Sequence, residues 1–146
     1  MSERQDRTQL SVADQELLAA AETARETAYA RYSGFQVGAA LRCTDGRVFV
    51  GCNIENASYG LTICAERVAV FSAVAAGAHS FRAVAVVAGQ PGAAPATPCG
   101  ACRQVLAEFG PSFRVLLAAP GAGEPVLVTS VNDLLPGAFS LESGGE

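Results

Sequence analysis

Three cysteines and one glutamate carry the chemistry that can be read from this chain. Cys64 lies in Thr62-Ile63-Cys64-Ala65-Glu66-Arg67, and Cys99 and Cys102 form a Cys-x-x-Cys pair in Thr97-Pro98-Cys99-Gly100-Ala101-Cys102-Arg103-Gln104. A Cys-x-x-Cys pair grips one side of a tetrahedral metal, and a catalytic zinc takes three protein ligands and keeps a fourth position open. Cys64 is the third ligand. Glu66 follows it too closely for a routine fourth ligand, but it is placed to reach a water in the open position and move that water's protons. A structural zinc would want a fourth Cys or His, and the single histidine, His79, lies a full helix length beyond Cys64. A redox pair would have no need of Cys-x-Glu. The spacing therefore predicts one open, three-thiolate Zn²⁺ site per chain.

The elements that must position these groups follow from the pattern. Ser11-Val12-Ala13-Asp14 reads as a capping box, and Leu17, Leu18, Ala21, Ala24 and Ala28 then recur at helical spacing to about Ala30. Residues 35–42 and 48–54 read as strands joined by an Asp45-Gly46 turn. A polar loop over 55–62 leads to a helix from Cys64 to about Ala76 that is apolar on nearly every side, which predicts burial from both sides. Residues 83–88 form a continuous apolar run, as in a central strand. Gly89 to Pro98 is an uncharged Gly/Pro/Ala connection, followed by a helix over 100–109, strands at 113–118 and 126–129, and a helical turn at 130–135. This order predicts a single α/β domain over 1–146, a three-layer α/β/α arrangement around a mixed five-stranded sheet. Residues 1–10 and 143–146 read as flexible ends.

Both cysteine clusters open helices, where unpaired N–H groups and the helix dipole favour negative charge. Three thiolates around Zn²⁺ carry a net negative charge, so Arg67 and Arg103, each beside the cluster, are expected to donate to sulfur. Cys43 and Cys52 fall in predicted strands and read as small core residues.

Composition narrows the setting. The 146 residues are half apolar and 16% charged, with a net charge of −4. All ten basic residues are arginine, with no lysine and no basic run, which argues against a nucleic-acid partner. No apolar run reaches the roughly 20 residues of a membrane span. Five cysteines without an export signal point to reduced thiols and a cytoplasmic location. The high apolar fraction suggests burial between subunits.

Cys-x-Glu followed by Pro-Cys-x-x-Cys is the zinc-deaminase signature. The chain resembles the small homotetrameric cytidine deaminases of nucleoside salvage, a branch of the cytidine/deoxycytidylate deaminase superfamily. The resemblance rests on Tyr32-Ser33-Gly34-Phe35-Gln36-Val37-Gly38-Ala39-Ala40, Asn53-Ile54-Glu55-Asn56-Ala57-Ser58-Tyr59, Cys64-Ala65-Glu66-Arg67 and Pro98-Cys99-Gly100-Ala101-Cys102-Arg103-Gln104, and runs as far as Leu134-Leu135-Pro136. It implies hydrolytic attack on C4 of cytidine or 2′-deoxycytidine, with Glu66 moving protons to N3 and the amino group and ammonia leaving. It also implies that Asn53 and Glu55 bind the ribose hydroxyls and that Phe35 lies near the base. The backbone of Ala57 and the Cys64–Ala65–Glu66 loop would read the pyrimidine edge. Phe139, and with it Tyr59, would contribute to a neighbouring subunit's site in a homotetramer.

Three rivals remain at this point. Blasticidin-S deaminases share the metal motif, but Asn53-x-Glu55 favours a nucleoside. Nucleic-acid deaminases want a basic surface that this chain lacks. A non-catalytic zinc module would keep the cysteines without needing Glu66.

Overall fold

The computed structural model describes residues 2–110 and 112–141. Strands β1 (Glu3–Gln5), β2 (Val37–Cys43), β3 (Val48–Cys52), β4 (Phe81–Ala88), β5 (Arg114–Ala118) and β6 (Val126–Ser130) form one sheet in the order β1-β6-β5-β4-β2-β3. Helices α1 (Val12–Arg25), α2 (Ala65–Ala75), α3 (Gly100–Ala107) and α4 (Val131–Leu134) cover it. Only β4 and β5 run parallel, and the connection between them carries α3. All other neighbouring strands are antiparallel.

Alternation along the central strands builds the three layers. Ala40, Ala83, Ala85, Val87, Leu116 and Val126 face Leu17, Leu18 and Ala21 of α1. Their neighbours Ala39, Leu41, Val84, Val86, Val115 and Leu117 face α2, with Leu106 of α3 and Val131 of α4. Successive strand residues point to opposite faces, so a continuous apolar run such as β4 is the signature of a strand covered on both sides.

Two glycines let helices approach the sheet more closely than a side chain allows. A Cβ on Gly38 would lie 2.0 Å from the Ala21 carbonyl oxygen, and one on Gly51 would lie 2.5 Å from both the Ala65 carbonyl oxygen and the Ala69 nitrogen. The second contact seats the first turn of α2 against β3 and thereby fixes where Cys64 and Glu66 stand.

Several expectations are corrected. Among the described residues the sheet has six strands rather than five, because residues 3–5, expected to be part of a flexible leader, pair with β6. Asp6 then caps a short 3-10 turn: its carboxylate accepts from Thr8 N–H, and its own N–H donates to the Gln9 side chain. Helix α1 stops at Arg25 rather than near Ala30. The Thr27 hydroxyl donates to the Ala24 carbonyl at 2.7 Å, and the Tyr29 backbone bonds to Asn53 and Glu55 instead of continuing the helix. Within its own chain helix α2 is covered on one side. Ala65, Ala69, Val70 and Ala73 are buried, whereas Phe71 is 51% exposed and Val74 is 37% exposed. The tail at 143–146 lies outside the described residues. Among the described residues no helix is long and apolar enough to cross a membrane.

Candidate active site

Cys64 is the N-cap of α2 and Cys99 the N-cap of α3, and neither side chain caps its own helix. Both sulfurs turn instead toward Cys102, in the first turn of α3, and the three Sγ atoms lie within 4.8 Å of one another. Cys64 and Cys99 Sγ are 3.7 Å apart. A tetrahedral ion with Zn–S bonds of about 2.3 Å sets its sulfurs about 3.8 Å apart, so the cluster fits zinc in donor type, number and spacing.

The sulfurs share charge unequally. The Cys64 thiol is lowered to about 5, first by the hydrogen bond from Cys102, then by Arg67 and Cys99, against the opposing effect of burial. Cys102 moves up for the complementary reasons: its bond to Cys64, its burial and the nearby Glu66. Three crowded sulfurs hold one negative charge comfortably and need a cation to hold three. Arg67 Nη2 donates to Cys64 Sγ at 3.5 Å, and that contact raises its own pKa, so it stays charged. Arg103, expected on sulfur, is found elsewhere. Its Nε donates to the Pro98 carbonyl and its Nη1 to the Leu134 carbonyl, both at 2.7 Å.

Glu66, in the first turn of α2, is only 5% exposed. Burial pushes its carboxyl up to about 7, and the negative charge on Cys64 adds to this while Arg67 offsets part of it. Cys64, Ala65, Glu66 and Cys99 line one cavity of about 220 Å³ together with Phe35, Asn53 and Thr62. Ala96 and Thr97, from the connection after β4, close one wall. That connection starts at Gly89, whose carbonyl accepts from Arg25 Nη2 at 2.5 Å.

Asn53 bridges the entry to β2. Its Oδ1 accepts from Val37 N–H at 2.9 Å and its Nδ2 donates to the Phe35 carbonyl at 2.8 Å, which leaves one amide hydrogen for another partner. Glu55 lines an adjoining cleft of about 360 Å³ with Tyr32, Ser33, Asn56, Tyr59 and Thr62. Its carboxylate accepts from the Ser33 hydroxyl and from the Ser33 and Tyr32 N–H groups. These bonds, the hydroxyl first, hold its carboxyl below the usual carboxylate range.

The structure does not bring every expected residue to this place. Tyr59 is 81% exposed at the rim of the Glu55 cleft. Ala57 is exposed and lines neither the cavity nor the cleft. Phe139, 70% exposed, lines a separate cleft with His79, Glu108 and Phe109. Sequence reasoning passed over Thr62 and Ser33. Ser33 had a usable signal, a hydroxyl beside a glycine in a turn, but its partner Glu55 is 22 residues away.

Comparison with known proteins gives a consistent result. Residues 11–118 match the family model for the cytidine and deoxycytidylate deaminase zinc-binding region. The chain is 51% identical over 128 residues to a cytidine deaminase of Sporosarcina psychrophila, covering 88% of this chain and 92% of the relative. It is 52% identical over 128 residues to that of Halalkalibacterium halodurans, covering 88% and 95%. A crystal structure of cytidine deaminase from Burkholderia pseudomallei superposes with a TM-score of 0.80 at 54% identity, covering 89% of this chain and all of that one. With Cys64, Cys99 and Glu66 lining one cavity and Cys102 completing the cysteine cluster, these matches establish that the chain is an enzyme belonging to the cytidine and deoxycytidylate deaminase family.

Proposed function

We propose that this enzyme hydrolyses cytidine and 2′-deoxycytidine to uridine and 2′-deoxyuridine, with release of ammonia, using one zinc ion per chain. The observation that carries the reading is a cluster of three sulfurs within 4.8 Å of one another, two of which, on Cys64 and Cys99, belong to residues lining the cavity that also bears the buried Glu66. Zinc, when bound by Cys64, Cys99 and Cys102, supplies the Lewis acidity that makes water a competent nucleophile near neutral pH.

The protein's own groups do the rest. Glu66, with its carboxyl pushed up to about 7, is balanced to accept a proton from the attacking water and pass it on. It delivers protons first to N3 of the pyrimidine and then to the departing amino group, as a general acid and base. Arg67 keeps a positive charge at Cys64 and offsets the accumulated charge of the thiolates. Arg103 acts through the carbonyls that it holds. Phe35 packs beside the base, and the backbone of Ala65 reads the pyrimidine edge. Asn53 offers its remaining amide hydrogen, and Glu55 its carboxylate, to the ribose hydroxyls. The cavity with Cys64 and Cys99 and the cleft with Glu55 share Thr62 in their linings, which supports this division.

The assembly we favour is a homotetramer acting in the cytoplasm, in which Phe139 and Tyr59 reach a neighbour's site. Exposed Phe71, Leu61 and Ile54 beside the Glu55 cleft support a subunit contact there.

The test is ultraviolet monitoring of purified protein with cytidine, 2′-deoxycytidine, CMP and blasticidin S, alongside metal analysis. Loss of cytidine absorbance, about one zinc per chain and no turnover of CMP are expected. Activity on blasticidin S alone would overturn the nucleoside reading.

A further inference from the structure

Thr62 is the residue common to the linings of the two adjoining spaces, the cavity of Cys64 and Glu66 and the cleft of Glu55. Its hydroxyl also makes a specific bond. An antiparallel bridge joins Ile54 to Ile63, with Ile54 N–H to the Ile63 carbonyl at 2.9 Å and Ile63 N–H to the Ile54 carbonyl at 3.0 Å. Beyond that bridge the two segments part. The Glu55 N–H turns to the Tyr29 carbonyl at 2.8 Å, and the next N–H, that of Asn56, donates to Thr62 Oγ1 at 3.1 Å. The side chain thus takes the place of a backbone acceptor and closes the loop from Asn56 to Thr62. The rest of that loop is tied internally by Ser58 N–H to Asn56 Oδ1 and by Thr62 N–H to the Tyr59 carbonyl.

The bond joins two groups that the reaction needs at a fixed separation. Asn56 directly follows Glu55, and Thr62 stands two residues before Cys64 and four before Glu66. A ligand with its ring in one space and its polar ring substituent in the other must pass Thr62. We propose that Thr62 is a positioning residue whose hydroxyl sets the span between the Glu55 loop and the reacting centre, and so governs affinity for nucleosides over free bases. The role rests on the nucleoside reading given above.

Thr62→Val tests it, because valine keeps the shape and the methyl contact and removes the acceptor. Thr62→Ser is the control that restores the hydroxyl. Both are assayed as zinc-loaded full-length proteins, with zinc content and thermal midpoint recorded. Loss of one hydrogen bond that orders a binding loop weakens binding by about threefold to tenfold. We therefore expect Thr62→Val to raise KM for cytidine and the inhibition constant of uridine by that factor. Its kcat should stay within about twofold of wild type. The inhibition constant of uracil, which has no sugar, should not move, and Thr62→Ser should recover wild-type values. Unaltered KM and uridine inhibition in Thr62→Val would overturn the role, as would weakening of uracil and uridine in equal ratio. A wild-type protein that neither turns over cytidine nor binds uridine would overturn the nucleoside reading itself, and this role with it.

Discussion

At the scale of single residues, the site depends on where each charge can go. Glu66 is buried beside a negatively charged sulfur, and both conditions disfavour its ionised form, so its proton is held until near pH 7. Glu66→Gln keeps the size and the hydrogen-bonding edge but cannot carry a proton. It should lower kcat by at least about 10²-fold while zinc content and the circular dichroism spectrum stay at wild-type values; turnover at the wild-type rate would remove Glu66 from the chemistry. Arg67 follows Cys64 by three residues, a separation that puts both on one helix face, and its guanidinium reaches the sulfur. Arg67→Ala should speed zinc loss to a chelator and lower activity with the fold intact. Equal chelation rates would reduce Arg67 to an ordinary surface cation. These two residues could be read from the motif because their partner lies within one helical turn. Arg103 could not be read in this way. The carbonyl of Leu134 that competes for it belongs to α4, 31 residues on, and no local spacing reveals that contact.

At the scale of elements, the periodic signals were legible and the tertiary substitutions were not. The β4 run and the α2 stretch announced themselves because burial requires apolar side chains at set intervals. Strand β1 is Glu-Arg-Gln at a sheet edge, with no buried face to impose a pattern, so composition marked it as a loose end. Its anchor was nonetheless written in Asp6 and Gln9, whose reciprocal capping orders the following turn. Gly51 is where an element's position becomes the site's position. Gly51→Ala would press a methyl onto the backbone of α2, which should cost about 1–3 kcal/mol and, by displacing the helix that Cys64 caps, weaken zinc retention; a variant with wild-type melting and zinc affinity would show that α2 can give way. Asp14 ties α1 to the sheet. Its carboxylate is 4% exposed and accepts from Arg42 Nη2 at 3.1 Å and from Arg114 Nη1 at 2.6 Å. Burial raises its pKa, but the bonds from Arg114 and Arg42 outweigh it and the net direction is down. A carboxylate lowered in the folded state stabilises fully above its unfolded value, near 3.9, and loses that contribution as pH falls through the folded value. Asp14→Asn should therefore be less stable than wild type by about 1–3 kcal/mol at pH 7, with the gap closing below about pH 4. Urea titrations of both proteins at each pH measure this. Acid release of metal affects the two alike, so the difference isolates Asp14, and a gap independent of pH would assign the effect to packing.

At the scale of the whole molecule, one chain leaves apolar side chains in water that its own core does not use. Phe71 and Val74 open on the outer side of α2, Leu61 is 65% exposed, and Phe139 and Leu141 are 70% and 88% exposed. The apolar fraction of the sequence foretold a surplus of this kind, but a single chain cannot show where the surplus is buried. The Phe139 backbone is tied to α3 through the Gln104 side chain at 3.2 Å, yet its ring lines a cleft apart from its own chain's cavity. If that ring serves a neighbour, Phe139→Ala should raise KM while keeping zinc, and its mass in light scattering should match that of wild type. Mixing decides the matter. Phe139→Ala subunits carry an intact Glu66, and Glu66→Gln subunits carry an intact Phe139. Co-refolded or subunit-exchanged mixtures should form sites with both, so activity at low cytidine should exceed the sum of the two parents. An active mixture that never exceeds that sum would mean that each chain completes its own site and that Phe139 has no part in its neighbour's.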